Sequence, residues 1–227
     1  MPTNVQPTTA LPTTALPRVA VLGAGHSGPV IARVAVEAGY SVSIAASGDP
    51  ADIELIAQVL IPGAEPRWAA DAAADADIVV LAIPLHRFPA LDPAIVAGKI
   101  VVDVMNYWPP VDGVVEMFED RDYGSSEIVQ RRLASSTVVK TLNHVGYHEL
   151  DADRRPRDAP DRLALGVAAD DHRAREAVAA LVDRIGYAPV RLHTLAAGSA
   201  LEPAGPVFGA SLSRAEFESA LSARVAA

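Results

Sequence analysis

The chain has 227 residues, half of them hydrophobic, enough for a substantial core in one large domain or one and a half. A formal net charge of −9, from 19 Lys+Arg against 28 Asp+Glu, argues against nucleic acid or an anionic membrane surface as the main partner. Cysteine is absent, which removes disulfides, thiolate nucleophiles and cysteine-ligated metals and suits a reducing, cytoplasmic location.

Residues 1–17 carry no charged side chain, and proline recurs at positions 2, 7, 12 and 17. Proline at that density blocks helix and central strand, so the spacing predicts a disordered Pro/Thr-rich tail. It has neither the basic segment nor the continuous apolar stretch of a signal peptide. The longest apolar run, 78–85, is far short of the roughly 20 residues of a membrane helix and fits a strand buried on both faces.

Ordered structure is expected from Arg18 in RVAVLGAGHSGPVIARVAVEAGYSVSIAAS. A strand at 19–22 runs into Gly23, Gly25 and Gly28. Pro29 suits the first turn of a helix, where its missing N–H has no use. Val30, Ile31, Val34 and Ala38 recur at helical spacing up to Gly39, and a second strand follows at 41–45. Strand, glycine loop, helix, strand is the βαβ unit of a doubly wound nucleotide fold.

The alternation continues with a helix at 53–60, a short strand at 67–70 and an alanine-rich helix at 71–77. A buried strand at 78–83 ends at Pro84. A helical turn at 93–97, a strand at 99–104, a helix at 125–133 capped by serine and a strand at 138–142 come next. Residues 151–162 read as a loop, 163–168 as a strand, and Asp170 or Asp171 as the cap of a helix closed by Gly186. A short strand at 190–192 and a helix at about 213–223 finish the chain. The class is therefore α/β: a Rossmann-like doubly wound, mainly parallel sheet. Its dinucleotide-binding domain covers 18–145, and a smaller α/β part at 146–227 completes an acceptor site.

The glycine loop is informative because it leaves a strand and opens a helix. Gly23 makes the tight turn, Gly25 admits a pyrophosphate and Gly28 lets helix touch strand, while the helix N-terminus offers N–H groups. At the end of the second strand, NAD sites place a carboxylate; here Ala46 stands there, followed by Ser47 and Gly48. Ser47 can donate to a 2′-phosphate, so the balance favours NADP, although no arginine stands beside it. In AIPLHRF, the backbone of Ala82, Ile83 and Pro84 lies where open sheets bind ligands; His86 and Arg87 read as solvated or as part of that edge. Asn106 closes another strand, with Tyr107 and Trp108 as wall or packing residues.

TLNHVGYHEL, at 141–150, reaches the same crevice. It is a poor metal site: no third ligand is identifiable and Gly146 spoils the helical pairing of His144 with His148, so no metal is expected. Asn143 to Tyr147 read as pocket lining, His148 and Glu149 as surface.

GAGHSG, AIP after the fourth strand, KIVVDVMN, SSEIVQRRL, VVKTLNHVG, LALGVAADD, IGYAPV and LEPAGPVFG occur in one order. Over about residues 18–210 this resembles the coenzyme F-420-dependent NADP oxidoreductase family. The resemblance implies a dimer that transfers hydride between NADPH and a deazaflavin. It implies that Gly23, Gly25, His26, Ser27 and Gly28 hold the pyrophosphate, Ser47 the 2′-phosphate, and Ile83 and Pro84 the nicotinamide side. Asn143, His144 and Val145 would face the deazaflavin, with His144 stabilising charge on the acceptor. Arg131, Arg132 and Lys140, or Arg154, Arg155 and Arg157, are candidate cations for the acidic tail of coenzyme F-420, with a solvated surface as the plainer reading. Two positions depart from the family pattern: Gly48 stands where an arginine is common, and Tyr107 follows Asn106 where proline is common. They bear on nucleotide preference and on the acceptor. Two other readings stay open: an NADPH-dependent reductase of a flavin, quinone, imine or metal complex, and a non-catalytic dinucleotide-binding sensor.

Overall fold

The computed structural model describes residues 15–120 and 122–225. Positions 1–14 of the expected tail lie outside the described residues, while Leu16 already packs on the core. The strands are β1 (Val19–Leu22), β2 (Val42–Ala45), β3 (Glu65–Pro66), β4 (Ile78–Leu81), β5 (Ile100–Asp103), β6 (Thr137–Lys140), β7 (Ala164–Ala168) and β8 (Ala188–Leu192). The helices are α1 (Ser27–Glu37), α2 (Glu54–Leu60), α3 (Ala69–Asp75), α4 (Pro109–Asp112), α5 (Ser125–Arg132), α6 (Tyr147–Ala152), α7 (His172–Arg184) and α8 (Arg214–Val225).

All eight strands form one sheet in the order β3-β2-β1-β4-β5-β6-β7-β8. Every pairing is parallel except β6 with β7, which meet antiparallel at Lys140 and Ala168. The smaller α/β part, residues 146–227, thus extends the same sheet through β7 and β8. Because β1 pairs with β2 on one side and β4 on the other, the strand order reverses there, and a crevice opens at their carboxyl ends.

β1 and β4 are buried at every residue, as a parallel sheet covered on both faces requires. Their side chains alternate between two cores. Val19 and Val21 pack with Ile31 and Val34 of α1, and Val178 and Leu181 of α7 belong to the same cluster. Ala20 and Leu22 face the opposite cluster, with Ala72 and Ala73 of α3 and Val129 of α5. Full burial of one such valine contributes about 1.5–3 kcal/mol, so a carboxylate at Val21 would break the fold from its centre.

The structure differs from the expected elements at several places. The strand expected at 67–70 lies earlier, at Glu65–Pro66, and α3 already begins at Ala69. Pro66 cannot donate to the ladder, and the alanine run from Ala69 favours helix. Ser125 does not cap α5: Gly124 is the cap, its N–H donates to Glu127 Oε2 at 2.8 Å, and Ser125 bonds Glu202 instead. The expected loop at 151–162 is preceded by a helical turn, α6, which reaches Ala152. Strands β4 and β6 also stop two residues short of their expected ends, and the residues released build the site.

Candidate active site

Two cavities lie along the carboxyl edge of the sheet and meet at the glycine loop. The first, about 520 Å³, is lined by Gly23 and Gly25, by Ala82, Ile83 and Pro84, and by Ser47 and Arg87. Its geometry explains the glycines. Gly23 has φ +126°, and a Cβ there would stand 2.2 Å from the Ala82 carbonyl oxygen. A Cβ on Gly28 would fall 1.8 Å from the Gly23 carbonyl oxygen, so helix and loop touch because both lack side chains. At Gly25 a Cβ would meet nothing within 4 Å: the loop is open on the side facing the cavity. The first turn of α1 holds no acidic residue, and His26 at its cap makes no side-chain bond to the helix N–H groups. Those donors and the positive end of the helix dipole are left for an anion. This arrangement fits a dinucleotide pyrophosphate.

Ala46 and Ser47 also line this cavity. Asp49, the nearest following carboxylate, accepts from the Ala51 N–H at 2.9 Å and caps the 3-10 turn Pro50–Ile53.

The second cavity, about 540 Å³, is lined by Ser27 and Ile31 of α1, Asn106, the run 142–147 and the segment 208–211. It is shaped by an unusual turn. Leu142, the only non-glycine with positive φ among the described residues, has φ 62° and is buried. A left-handed leucine costs about 1–2 kcal/mol, held here by the packing around it, and it turns the chain leaving β6 toward α1. Asn143 and Asn106 then interlock. Asn106 Nδ2 donates to the Asn143 carbonyl at 2.7 Å, and Asn143 Nδ2 donates to Asn106 Oδ1 at 2.9 Å and to the Leu201 carbonyl at 2.6 Å.

His144 is drawn inward. Its Nε2 accepts from the Gly166 N–H at 3.2 Å, which leaves the proton on Nδ1, 3.4 Å from Asn143 Oδ1. The ring meets Phe217 edge-on at 5.8 Å. Burial, with the Lys140 charge adding to it, lowers its pKa to about 3. His144 therefore stands neutral in the cavity wall, and the charge stabilisation expected of it would have to come from a dipole. Its carbonyl accepts from Gly209 N–H at 2.9 Å, tying the C-terminal segment to the pocket.

Gly146 caps α6, so His144 lies outside that helix and shares no helical face with the exposed His148. Among the described residues no three metal-ligating side chains converge. Tyr147, which lines the second cavity, stacks on the His26 ring at 5.5 Å. Glu149, expected at the surface, is exposed and also lines the second cavity. Tyr107 turns away to Phe118, Glu119 and the Val115 N–H, whereas Trp108 stacks on Phe208, which lines the cavity.

Behind the asparagine pair lies a buried polar cluster that sequence reasoning did not find. Lys140, fully buried, donates to the Met105 carbonyl at 2.5 Å and pairs with Asp103 at 3.3 Å. Asp103 also accepts from Ser126 Oγ at 2.6 Å and from the Met105 N–H at 2.9 Å. Lys140 is thus a buried strut between β5 and β6 and not a surface cation. The other candidate cations are also engaged elsewhere. Arg131 covers the Tyr123 ring, Arg132 donates to Pro89 and Leu91 carbonyls, and Arg154, Arg155 and Arg157 pair with Glu37 and Asp151, with Asp161 and with Asp183. None lines the second cavity. The role of segment 208–211 depends on contacts distant in sequence, and only the place of 208–209 in LEPAGPVFG hinted at it, whereas Tyr147, expected in the pocket lining, is found there.

The fold resembles that of several solved structures. A hypothetical protein from Sinorhizobium meliloti is 28% identical, with a TM-score of 0.72 over 88% of this chain and 96% of that one. A proposed F420-dependent NADP reductase from Arthrobacter sp. FB24 is also 28% identical, with a TM-score of 0.64 over 78% of this chain and 84% of that one. An imine reductase from Myxococcus stipitatus, in complex with NADP+, shares the fold at 16% identity, with a TM-score of 0.56 over 92% of this chain and 61% of that longer one. No curated protein matches the sequence. Residues 18–107, which hold the glycine loop, Ser47 and the lining of the first cavity, match the family described as NADP oxidoreductase, coenzyme F420-dependent.

Proposed function

We propose that the protein is an NADP(H)-dependent oxidoreductase that passes hydride between the nicotinamide and a planar acceptor in the second cavity. The observation that carries this reading is the meeting of two cavities at one glycine loop, Gly25 facing the first and Ser27 the second. The loop 23–28 and the start of α1 would hold the pyrophosphate, Ser47 the 2′-phosphate, and Ile83 and Pro84 the nicotinamide side. The nicotinamide supplies the hydride chemistry when bound. The chain's part is to align two rings and keep water from between them. Asn143 and Asn106 brace one another across that wall, and the Leu142 turn sets their depth. His144, neutral and anchored on Gly166, positions the Asn143–Val145 backbone and offers no proton at neutral pH.

Coenzyme F-420 is the acceptor that the match of residues 18–107 to the F420-dependent family favours. A second reading is supported by charge: the second cavity has no lysine or arginine in its lining and carries Glu149. That suits an acceptor without a polyanionic tail, such as a flavin, quinone or imine. A small-molecule acceptor and a homodimer belong to the same proposal. Reduction of coenzyme F-420 by NADPH, followed at the deazaflavin absorbance beside a flavin, a quinone and a cyclic imine, separates the two. Turnover with coenzyme F-420 supports the first reading, and turnover only with uncharged acceptors supports the second. NADPH binding without turnover on any acceptor would leave a sensor.

A further inference from the structure

We infer that Arg87 is the residue by which this chain recognises the 2′-phosphate of NADP. Arg87 is the only charged residue in the lining of the first cavity. The cavity is lined by the glycine loop, by Ser47 and by the apolar side chains of Ile53, Ala69 and Leu91, which suit a purine. Ser47 follows β2, the neighbour of β1, so a nucleotide whose pyrophosphate sits on the loop after β1 brings its adenosine ribose toward Ser47.

The placement of Arg87 follows from the local fold. It lies in the 3-10 turn Leu85–Ala90, in which residues three apart share a face. Leu85 and Phe88 are three apart, and both are buried in the core. Arg87 is thereby held on the outer side, over the cavity, and its own N–H is tied to the Pro84 carbonyl at 2.8 Å. Arg132 fixes the end of the same turn by donating to the Pro89 carbonyl at 2.7 Å. The Arg87 guanidinium is exposed and paired with no carboxylate among the described residues, unlike Arg131 and Arg154. Arg87 and Ser47 line one cavity, and a guanidinium matches phosphate geometry with paired hydrogen bonds. Position 48, next to Ser47, is glycine and offers no charge of its own.

This inference rests on the dinucleotide reading of the first cavity, and the test separates the two. Calorimetric titration of the full chain and of Arg87→Ala uses two probes, 2′,5′-ADP and 5′-AMP, which differ only in the 2′-phosphate. Because Arg87 is exposed, the variant should fold, which its thermal unfolding checks. The expected result is a loss of about tenfold or more in 2′,5′-ADP affinity with 5′-AMP within about twofold of the parent, the difference shrinking as salt rises. Equal losses for both probes would assign Arg87 to the base or the 5′-phosphate and overturn the inference. So would no change in either, or a parent chain that does not prefer 2′,5′-ADP. A parent chain that binds neither probe would overturn the dinucleotide reading itself.

Discussion

Replacing Gly25 by alanine separates what the glycine loop does for the fold from what it does for a ligand. Gly25 has no left-handed backbone, and an added Cβ meets nothing within 4 Å. Folding should therefore change by no more than about 1 kcal/mol, with the reduced freedom of the unfolded chain acting in favour of alanine. Binding is a different matter, because the open space beside Gly25 is where phosphate oxygens must come close to backbone N–H groups. A methyl there pushes the phosphate away from at least one charge-assisted hydrogen bond, worth about 1.5–3 kcal/mol, which corresponds to a roughly 10- to 150-fold rise in Kd for NADP. Gly28→Ala is the contrast. Its Cβ would stand 1.8 Å from the Gly23 carbonyl oxygen, so loop and helix must part. The expected cost is above about 3 kcal/mol. Urea unfolding and NADP titration of both variants make the comparison. An unchanged Kd in Gly25→Ala would refute the pyrophosphate reading, and native-like stability in Gly28→Ala would refute the packing argument.

Two further outcomes follow from buried groups. Lys140→Met leaves Asp103 buried with only Ser126 and the Met105 N–H as partners, which should cost about 3–5 kcal/mol in chemical unfolding. Pairing it with Asp103→Asn should recover part of that loss, and a single variant within about 1 kcal/mol of the parent would contradict the strut role. His144 makes stability pH-dependent in a defined window. The unfolded chain protonates this ring near 6.5 and the native chain only near 3, so its contribution is constant above pH 6.5 and falls as pH drops toward 3. The slope from this group is about 1.4 kcal/mol per pH unit. Urea unfolding at pH 7.5, 6 and 5 should show a shallower decline in His144→Gln than in the parent, and parallel declines would place the imidazole in solvent.

Much of this protein was legible in its residues, and the reason is local. The strands 19–22 and 78–81 lie in short apolar runs that end at Gly23 and at Pro84, which a parallel sheet covered on both faces can bury. The glycine loop announces itself because backbone approach requires the absence of Cβ, and Ser47 follows from register alone. No membrane-crossing helix is present among the described residues. What the residues left undecided depends on partners far away in sequence. Lys140 reads as a surface cation until Asp103, 37 positions earlier, is brought beside it on the neighbouring strand. His144 reads as a candidate charge stabiliser until the Gly166 N–H claims its Nε2. Arg87 reads as a solvated residue at the start of a turn until Leu85 and Phe88 sink into the core and leave it over the first cavity. Strand, helix and phosphate loop are properties of short windows, which sequence by itself determines. The ionisation, orientation and job of each polar side chain depend on burial and on long-range partners, and those exist only once the sheet has been assembled.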